Sequence, residues 1–525
     1  MKTLSAGDRV VVVGGGPGGL VTAKALMDEG FDPVVLEGSA AIGGQWNTKA
    51  AHSGIWEGMR TNTSQVTTAF SELPHEAGLP LFPTALQIGE YLQRYADTFG
   101  VARRVRTGCR VEKIDLKDGG GFTVRYRDET GSHDIEAAGV VVATGRYNKP
   151  NLPLQIEGLS EFSGRGGLLT AFDYLDHADF AGQRVLMLGN NISALEIASE
   201  LAFDPTIEVV SACRKPRYII LKITAGIPSD WRFFNRAAVC IGRTLPPPDA
   251  AEGMRKEILR LFGNPATYGG LAPSENLMTA GIAQAQHYLA LVAEGRITAR
   301  SLPTKVDGDT VTYDDGSSQQ FDAIIAGTGY QLNLPFLSDS LKSTLKVDDE
   351  RLDLFAQTFH PEIDGLAFVG QFHMIGPYFP VLELQGRWIA MVLAGQRPLP
   401  SREVMEQGVE QARMLHQLGA PLVYHELATD LAMAAGVEPD PEQWPDLAGG
   451  LIFGPIAPAQ YRLSGRGSRD DAIELLQQAM AAAGQGPPPP VADEQLDMLQ
   501  GLSQVPNAWP GVASALRALD SQRES

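Results

Sequence analysis

A glycine turn near the N-terminus has the spacing of a dinucleotide-binding loop. Gly14, Gly16 and Gly19 fit the pattern G-x-G-x-x-G, between an apolar run and a helical pattern. In that setting the first glycine permits the turn, the second lets the backbone approach a pyrophosphate, and the third allows close helix packing. The helix N-terminus adds amides and a partial positive charge for the phosphates. Glu37 ends the next predicted strand, where a carboxylate accepts hydrogen bonds from both ribose hydroxyls.

A second, weaker turn of the same kind begins at Gly189. Asn191 stands where the pattern has its middle glycine, and Ala194 stands where it has its last. Alanine is tolerated at the last position, so Asn191 is the real departure. Because the turn follows a predicted strand at residues 183–188 and precedes a predicted helix at residues 195–202, we expect a second nucleotide here.

The charge after the next strand is reversed in this second unit. Where the first unit has Glu37, the second has Arg214, Lys215 and Arg217. A 2′-phosphate needs cations at this place and is repelled by a carboxylate. The sequence therefore favours NADPH over NADH, with a solvated basic edge as the alternative.

The elements around the two turns predict an α/β fold with two nested Rossmann-like units. Residues 9–13 and 33–37 are predicted parallel strands, joined by a helix at residues 20–29 that Gly30 ends. An alternating stretch at residues 122–127 predicts an inserted sheet. Two dinucleotide turns in one chain imply an enzyme that passes hydride from nicotinamide to flavin.

The second unit is predicted to lie inside the first. Buried strands that end in glycine, at residues 139–145 and 321–329, mark the crossing to the second unit and the return. Helical patterns at residues 401–418 and 468–483 follow, and four prolines at residues 487–490 predict a stiff spacer before a polar tail. This tail either packs on the first domain or contacts a partner. The predicted parts are residues 1–160 (FAD-binding domain, first part), 161–320 (NADPH-binding domain), 321–465 (FAD-binding domain, second part) and 466–525 (helical, proline-rich tail).

Composition excludes several classes of partner. The chain has 525 residues, of which 44% are hydrophobic and 20% charged, so two or three packed cores are expected. A net charge of -19 argues against nucleic acid and against an anionic membrane surface. No secretory leader is visible and no apolar run approaches the roughly 18 residues of a membrane span. Because the three cysteines are widely separated, we expect a cytoplasmic enzyme, and a homo-oligomer stays open.

Several local strings resemble the flavin-containing monooxygenase family, in the order in which that family has them. GGQW at residues 43–46 is similar to the family's GGxW segment, whose backbone and tryptophan lie along the flavin. MRTNTS at residues 59–64, followed by FSELP at residues 70–74, is similar to its TNT-x-K and F-S-x-x-P stretch. AGTGY at residues 326–330 resembles ATGY, ELQGRW at residues 383–388 resembles E-x-Q-x-R-W, and GLAFVG at residues 365–370 looks like the strand that returns to the flavin.

The resemblance implies an FAD- and NADPH-dependent monooxygenase. NADPH would reduce FAD, O2 would add at the flavin C4a carbon, and the hydroperoxide would offer its terminal oxygen to a small nitrogen- or sulfur-containing substrate. Asn62 matches the family's catalytic asparagine, whose amide can donate to the peroxide oxygen and contact bound nicotinamide. From the residues alone, an asparagine between two threonines is usually a turn or cap residue. The predicted cofactor-binding residues are Gly14, Gly16, Pro17, Gly18, Gly19, Glu37, Gly44, Gln45, Trp46, Thr61, Asn62, Thr63, Val111, Gly189, Asn191, Ser193, Ala194, Arg214, Lys215, Gly329, Tyr330 and Gln385.

One family signature, F-x-G-x-x-x-H, departs from its pattern here. Phe162 and Gly164 are present. Counting forward from them places Leu168 where the family has its histidine, whereas counting back from the second glycine turn places Thr170 there. The second count aligns Tyr174 with a family tyrosine. Because Baeyer–Villiger relatives favour tryptophan there, ketone oxygenation is less favoured, but it stays open.

Other readings also stay open. A flavin reductase or oxidase shares the two-unit plan, although the absence of a paired cysteine argues against the disulfide type. A non-catalytic flavoprotein is allowed by the weaker second turn. No metal is predicted, and His360 and His373 are expected to be ordinary loop histidines. The aromatic-rich residues 231–234 and 375–380 either line a substrate pocket or pack in a core.

Overall fold

The strands of the chain form several separate sheets. The computed structural model describes residues 3–48, 53–483 and 491–524, so the predicted proline spacer at residues 487–490 lies outside the described residues. In chain order the strands are β1 (Arg9–Val13), β2 (Asp32–Leu36), β3 (Val105–Arg106), β4 (Arg110–Leu116), β5 (Phe122–Asp128), β6 (Gly131–Ala137), β7 (Gly139–Val142), β8 (Gly167–Thr170), β9 (Arg184–Leu188), β10 (Glu208–Cys213), β11 (Tyr218–Ile220), β12 (Ile223–Thr224), β13 (Ile227–Pro228), β14 (Ile282–Gln284), β15 (Ile297–Ser301), β16 (Lys305–Asp307), β17 (Thr310–Thr312), β18 (Ser318–Gln320), β19 (Ala323–Ala326), β20 (Leu366–Phe368), β21 (Met374–Ile375) and β22 (Leu422–Val423).

Helices cover the sheets and make up most of the C-terminal third. In chain order they are α1 (Pro17–Asp28), α2 (Ala85–Thr98), α3 (Ile192–Phe203), α4 (Ser229–Phe233), α5 (Arg236–Thr244), α6 (Pro247–Phe262), α7 (Leu277–Ala280), α8 (Tyr288–Ala293), α9 (Asp339–Leu345), α10 (Phe379–Leu393), α11 (Arg402–Gln417), α12 (Tyr424–Ala435), α13 (Ala448–Phe453), α14 (Ala472–Ala482), α15 (Asp493–Ser503) and α16 (Pro510–Glu524).

The first sheet is parallel throughout and has the strand order β20-β7-β1-β2-β3. Its central strand β1 is buried on both faces, which is why it is a run of valines rather than an alternating pattern. Val10 and Val12 pack in the core that contains helix α1, whereas Val11 and Val13 pack in the core that contains Phe122 of β5. The predicted inserted sheet is confirmed as the antiparallel meander β4-β5-β6.

Helix α1 begins earlier than the periodicity predicts. It starts at Pro17 rather than at residue 20, because proline has a φ suited to the first helical position and needs no hydrogen-bond acceptor there. The predicted end of the helix is confirmed, since Gly30 follows the C-cap with a φ of +83°.

The second sheet is also parallel, with the strand order β15-β10-β9-β19-β8. It requires one correction. The boundary predicted at residue 321 assigned β19 to the FAD-binding part, whereas β19 pairs with both β8 and β9 inside the second sheet. The chain rejoins the first sheet only at β20, which lies in the GLAFVG string and pairs with β7. The α/β fold with two Rossmann-like units is confirmed, and the remaining domain boundaries stay predictions.

The C-terminal helices pack within the chain. Helices α11 and α14 begin one and four residues later than predicted. Helices α15 and α16 pack against α5 and α13, and Leu499 and Ala518 are fully buried in this cluster. Packing is therefore observed for the tail, although against α5 and α13 rather than against the first sheet. Among the helices of the described ranges, none combines the length and the apolar character that crossing a bilayer requires.

Replacing Leu499 tests how the tail is held. We expect Leu499→Ala to weaken docking of α15 and α16 by about 2–5 kcal/mol, because it opens a cavity in a fully buried cluster. Faster proteolytic removal of the C-terminal segment would show this. Leu86→Ala, at a leucine of α2 that is 59% exposed, is the matched control. Equal proteolysis rates in the two variants would contradict the docking.

Candidate functional site

The first glycine turn passes close to its neighbours at the carboxyl end of β1. Gly14 has a φ of +107°, and a Cβ built on it would lie 2.6 Å from the carbonyl oxygen of Ala143. A Cβ on Gly19 would lie 1.8 Å from the carbonyl oxygen of Gly14. Side chains at these two positions would therefore push helix α1 away from the turn.

The GGQW segment lies directly against this turn. The amide of Gly43 donates to the carbonyl oxygen of Gly15 at 2.9 Å, and a Cβ on Gly44 would lie 2.9 Å from the Cα of Gly16. The amides at the start of α1, around Pro17 and Gly18, have no side-chain cap. The surface formed here is bare backbone next to a helix N-terminus, which fits a pyrophosphate.

Glu37 is fixed in place by backbone amides. Gly15 N donates to its Oε2 at 2.6 Å and Ser39 N to its Oε1 at 2.6 Å. Each carboxylate oxygen retains a second lone pair that can accept from a ribose hydroxyl. Val111 lies on the same edge, in β4, two residues after Cys109, whose amide donates to the carbonyl oxygen of Glu37 at 2.8 Å.

The loop that carries Asn62 holds buried polar atoms without partners. Neither Thr61 Oγ1 nor Asn62 Oδ1 has a hydrogen-bond partner among the described residues. The Thr61 amide donates to Pro83 O at 2.9 Å, and the hydroxyls of Thr63 and Thr68 lie 2.8 Å apart. A buried polar atom without a partner costs roughly 1–3 kcal/mol, so these atoms favour a bound group that completes their hydrogen bonds.

Aromatic stacking brings three of the family-like strings together. The ring of Phe379, at the start of α10, lies 5.0 Å from that of Phe70 in a stacked arrangement. The same ring meets Trp46 edge-on at 6.4 Å. Gln45 and Trp46 form a short turn of 3-10 helix with Gly44. GGQW, FSELP and helix α10 therefore border one region.

Buried side chains of the ELQGRW string on α10 form hydrogen bonds with segments next to this region. Glu383 Oε2 accepts from the Ser71 amide at 2.8 Å, and its Oε1 accepts from Arg462 Nη2 at 2.9 Å. Gln385 is fully buried; its Oε1 accepts from the Gly370 amide at 3.1 Å and its Nε2 donates to Thr358 Oγ1 at 2.9 Å. Gln385 thus positions the turn after β20, and its contact with a cofactor stays a prediction.

The second glycine turn tolerates the unusual asparagine. Gly189 has a φ of +127°, and a Cβ on it would lie 2.3 Å from the carbonyl oxygen of Gly327. Asn191 has a φ of -112°, and its Oδ1 caps helix α3 by accepting from the following amide at 3.0 Å. Ser193 and the fully buried Ala194 lie in the first turn of that helix. The asparagine therefore forms the turn without strain.

The basic residues after β10 have no carboxylate opposite them in the described ranges. Arg214 and Lys215 are exposed, and Arg217 is half-buried and lines a cavity with Asn190 and Tyr288. Within the described part of the chain none of these three cations forms an ion pair. Their charge is therefore available to an anion such as a phosphate.

The two residues that can align with the histidine of the family signature, Leu168 and Thr170, both have structural roles. Leu168 lies within β8 and packs against the neighbouring core. Thr170 ends β8, and both its amide and its hydroxyl donate to Asp173 Oδ2, at 3.1 and 2.6 Å. This arrangement is a local turn.

Tyr174 belongs to a contact between the two units. Its hydroxyl donates to Glu200 Oε1 at 3.1 Å, and Trp56 Nε1 donates to Glu200 Oε2 at 2.7 Å. Burial raises the pKa of Glu200, although the hydrogen bonds from Trp56 and Tyr174 oppose this. The contact ties the segment before Asn62 to helix α3 of the second unit.

Arg146 and Tyr147 are candidate site residues that sequence reasoning missed. The Tyr147 hydroxyl lies 2.8 Å from His373 Nδ1 and 2.7 Å from the Tyr378 hydroxyl. Arg146 is 9% exposed, and its Nη1 has no hydrogen-bond partner among the described residues. Both residues follow the glycine after β7, and the carboxyl end of a strand in a parallel sheet is the signal that could have found them.

The two crossings between the units lie side by side near this cluster. The Asn151 amide donates to the carbonyl oxygen of Gly329 at 2.9 Å, and Thr328 Oγ1 donates to Asn151 O at 2.5 Å. The ring of Tyr330 meets that of Tyr147 edge-on at 5.4 Å. The AGTGY string therefore borders the same interior region as Tyr147.

The two histidines differ in their surroundings. Burial, aided by the charges of Arg146 and Arg217, lowers the pKa of His373 to about 4, so its neutral ring can accept from Tyr147. His360 Nδ1 accepts from the Glu362 amide at 3.1 Å. Across residues 3–48, 53–483 and 491–524, no group of three His, Cys, Asp or Glu side chains could hold a metal ion.

The two aromatic-rich segments are packed in different ways. Trp231 packs with Val66 and Ala457, and Phe234 meets Tyr424 edge-on at 5.9 Å. These contacts assign residues 231–234 to core packing. In residues 375–380, by contrast, the Tyr378 hydroxyl belongs to the Tyr147 cluster.

The sequence matches one family model over most of its length. The model is that of the flavin-binding monooxygenase-like proteins, and it covers residues 7–480. The chain is also 28% identical over 493 residues to the N-oxide-forming dimethylaniline monooxygenase 2 of Mus musculus, which covers 89% of this chain and 91% of that protein.

Solved structures share the fold. S-allyl-L-cysteine S-oxygenase from Allium sativum is 20% identical with a TM-score of 0.57, and the likeness covers 99% of each chain. Cyclohexanone monooxygenase from Rhodococcus sp. Phi1 bound to NADP+ is 18% identical with a TM-score of 0.62, over 83% of this chain and 98% of that one. At these identities the likeness shows the architecture alone.

Replacing Gly19 tests the first turn. We expect Gly19→Ala to reduce the flavin retained after purification by at least about tenfold, since the added methyl would collide with the backbone of Gly14. The ratio of flavin to protein absorbance measures this. Gly253→Ala, at a helical glycine with no heavy atom within 4 Å of an added Cβ, is the control. Equal flavin content in the two variants would remove the turn from the binding site.

Proposed function

The chain belongs to the flavin-binding monooxygenase-like family, and we propose that it is an FAD- and NADPH-dependent enzyme that transfers one oxygen atom of O2 to a small substrate with a soft nitrogen or sulfur nucleophile. Family membership confirms the resemblance seen in the local strings and makes the protein a flavin-dependent monooxygenase. One observation carries the finer proposal. Asn62 presents a buried amide oxygen that has no hydrogen-bond partner among the described residues. It lies on a first-unit segment that is bonded to α4 of the second unit through Ser64 and to α10 through Ser71.

The first unit is proposed to hold FAD. The bare backbone of Gly14, Gly16 and Gly44 leaves room for the pyrophosphate, and the N-terminus of α1 supplies its electrostatic complement. Glu37 would accept from the ribose, because its carboxylate is held in place by two amides. Bound FAD would supply the activation of dioxygen, a chemistry that no side chain provides.

The second unit is proposed to hold NADPH. The turn at Gly189 and the N-terminus of α3 repeat the features of a phosphate site. Arg214 and Lys215 follow β10 and, within the described residues, have no carboxylate opposite them, which supports recognition of the 2′-phosphate.

The remaining residues position the reactants and exclude water. Asn62 would orient the flavin and the nicotinamide through its amide, which can both donate and accept. The packed rings of Trp46, Phe70 and Phe379 close one side of this region. Because the flavin performs the difficult chemistry, no nucleophile and no acid–base pair of side chains is required. The wide separation of the cysteines supports a reducing, cytoplasmic setting as part of the proposal.

The reaction itself can be tested directly. Purified FAD-loaded protein, NADPH and air are combined with a tertiary amine or a thioether, and O2 uptake is compared with the N-oxide or sulfoxide formed. The proposal predicts product in proportion to NADPH consumed. Product from a ketone alone would favour the Baeyer–Villiger reaction. Hydrogen peroxide without any oxygenated product would overturn oxygen transfer.

Asn62→Ala should separate binding from oxygenation. We expect this variant to retain FAD but to lose at least about tenfold in oxygenated product per NADPH, because a hydrogen bond to the reacting groups is lost. Product yield and peroxide release measure the effect. Asn276→Ala, at an exposed asparagine that caps helix α7 and lies outside the predicted cofactor contacts, serves as the control. Unchanged yield in Asn62→Ala would remove Asn62 from the site.

The basic pair can be tested by comparing the two nicotinamide cofactors. Arg214→Ala combined with Lys215→Ala should raise the KM for NADPH by about 10–100-fold, since one or more charged hydrogen bonds to phosphate are lost. The KM for NADH should change little. Steady-state oxidation of each cofactor gives both values. An equal rise for both would show that these cations do not recognise the 2′-phosphate.

A further inference from the structure

A buried aspartate of the second unit forms hydrogen bonds with the loop that carries Asn62. Asp230 lies on α4 and is 1% exposed. Its Oδ2 accepts three hydrogen bonds, from the Ser64 amide at 3.1 Å, the Ser64 hydroxyl at 2.7 Å and the Thr67 hydroxyl at 2.6 Å. Its Oδ1 has no hydrogen-bond partner among the described residues. One carboxylate oxygen therefore holds both ends of a four-residue segment.

The neighbouring tryptophan strengthens this contact. Trp231 Nε1 donates to Ser64 Oγ at 2.8 Å, so the Ser64 hydroxyl lies between two side chains of α4. Helix α4 follows β10 of the second sheet, whereas Ser64 lies between β2 and β3 of the first sheet. The hydrogen bonds thus join the two units.

The contact lies two residues after the proposed catalytic amide. Ser64 and Thr67 are fully buried, so water cannot replace a lost hydrogen bond without entering the core. Hydrogen bonds to a charged group are shorter and stronger than neutral ones. Burial raises the pKa of Asp230, and the bonds from Ser64 and Thr67 oppose that rise. The three hydrogen bonds to Asp230 Oδ2 therefore fix the loop relative to α4.

We propose that Asp230 is a positioning residue that fixes the Asn62 loop through Ser64 and Thr67, so that the insertion of the NADPH unit sets the geometry at the flavin. The role in catalysis rests on the proposed function. The structural part does not, since it requires only that the loop loses its order when the carboxylate is removed.

The test uses the full-length, FAD-loaded chain carrying Asp230→Ala. Hydrogen exchange of the amides of residues 61–68 should accelerate at least about tenfold, because their anchor to α4 is lost. The fraction of NADPH oxidised to peroxide should rise about threefold or more, while FAD content stays the same. Asp307→Ala, at an exposed aspartate of β16, is the matched control and should change neither readout.

Two further comparisons separate positioning from a general loss of stability. Added to Asn62→Ala, the Asp230→Ala change should alter the peroxide fraction by less than about twofold, since residues that act through one another are not additive. Thr67→Ala, which removes one of the three bonds to Asp230, should shift exchange and peroxide in the same direction by a smaller amount. This milder variant decides the question if Asp230→Ala does not fold.

The possible results are distinct. Unchanged exchange of residues 61–68 in both variants, or fully additive effects with Asn62→Ala, would overturn the inference. If the unmodified enzyme forms only peroxide, the proposed oxygen transfer fails, yet the exchange rates still decide whether Asp230 holds the loop.

Discussion

The site depends on two places where backbone approaches backbone too closely for any side chain. At the end of β1, a Cβ on Gly14 would lie 2.6 Å from Ala143 O, and at the end of β9, a Cβ on Gly189 would lie 2.3 Å from Gly327 O. In each sheet the chain turns sharply here from the strand into a helix, α1 or α3. The same constraint, met twice, leaves bare backbone next to a helix N-terminus at the carboxyl ends of parallel strands, an arrangement that suits phosphate.

Several contacts join the two nucleotide units to each other. The loop at residues 61–68 contacts α4 through Asp230, and Trp56 contacts α3 through Glu200. On the other side, the crossings at Asn151 and Gly329 lie side by side, next to the hydroxyl cluster of Tyr147. Because the first two contacts join the segment around Asn62 to α3 and α4, we expect a change in the second unit to reach the proposed reaction centre.

Local signals were enough to predict the strands, the first turn and the inserted meander from the sequence. The placement of β19 could not be predicted, because a buried strand of this kind carries no mark of which sheet it joins, and only its pairing with β8 and β9 decides. Asn62 is a candidate through resemblance alone, and its role stays a prediction. Asp230 and Tyr147 were missed because their partners lie more than a hundred residues away along the chain. Asn191, by contrast, appeared to weaken the second turn, but it proves to be a helix cap.

The most direct measurement is the absorption spectrum of the purified chain during anaerobic titration with NADPH. The account predicts a yellow protein with bound FAD whose flavin band bleaches as NADPH is added, and does so at lower concentrations of NADPH than of NADH. A colourless chain that cannot retain FAD, or a bound flavin that NADPH leaves oxidised, would contradict it.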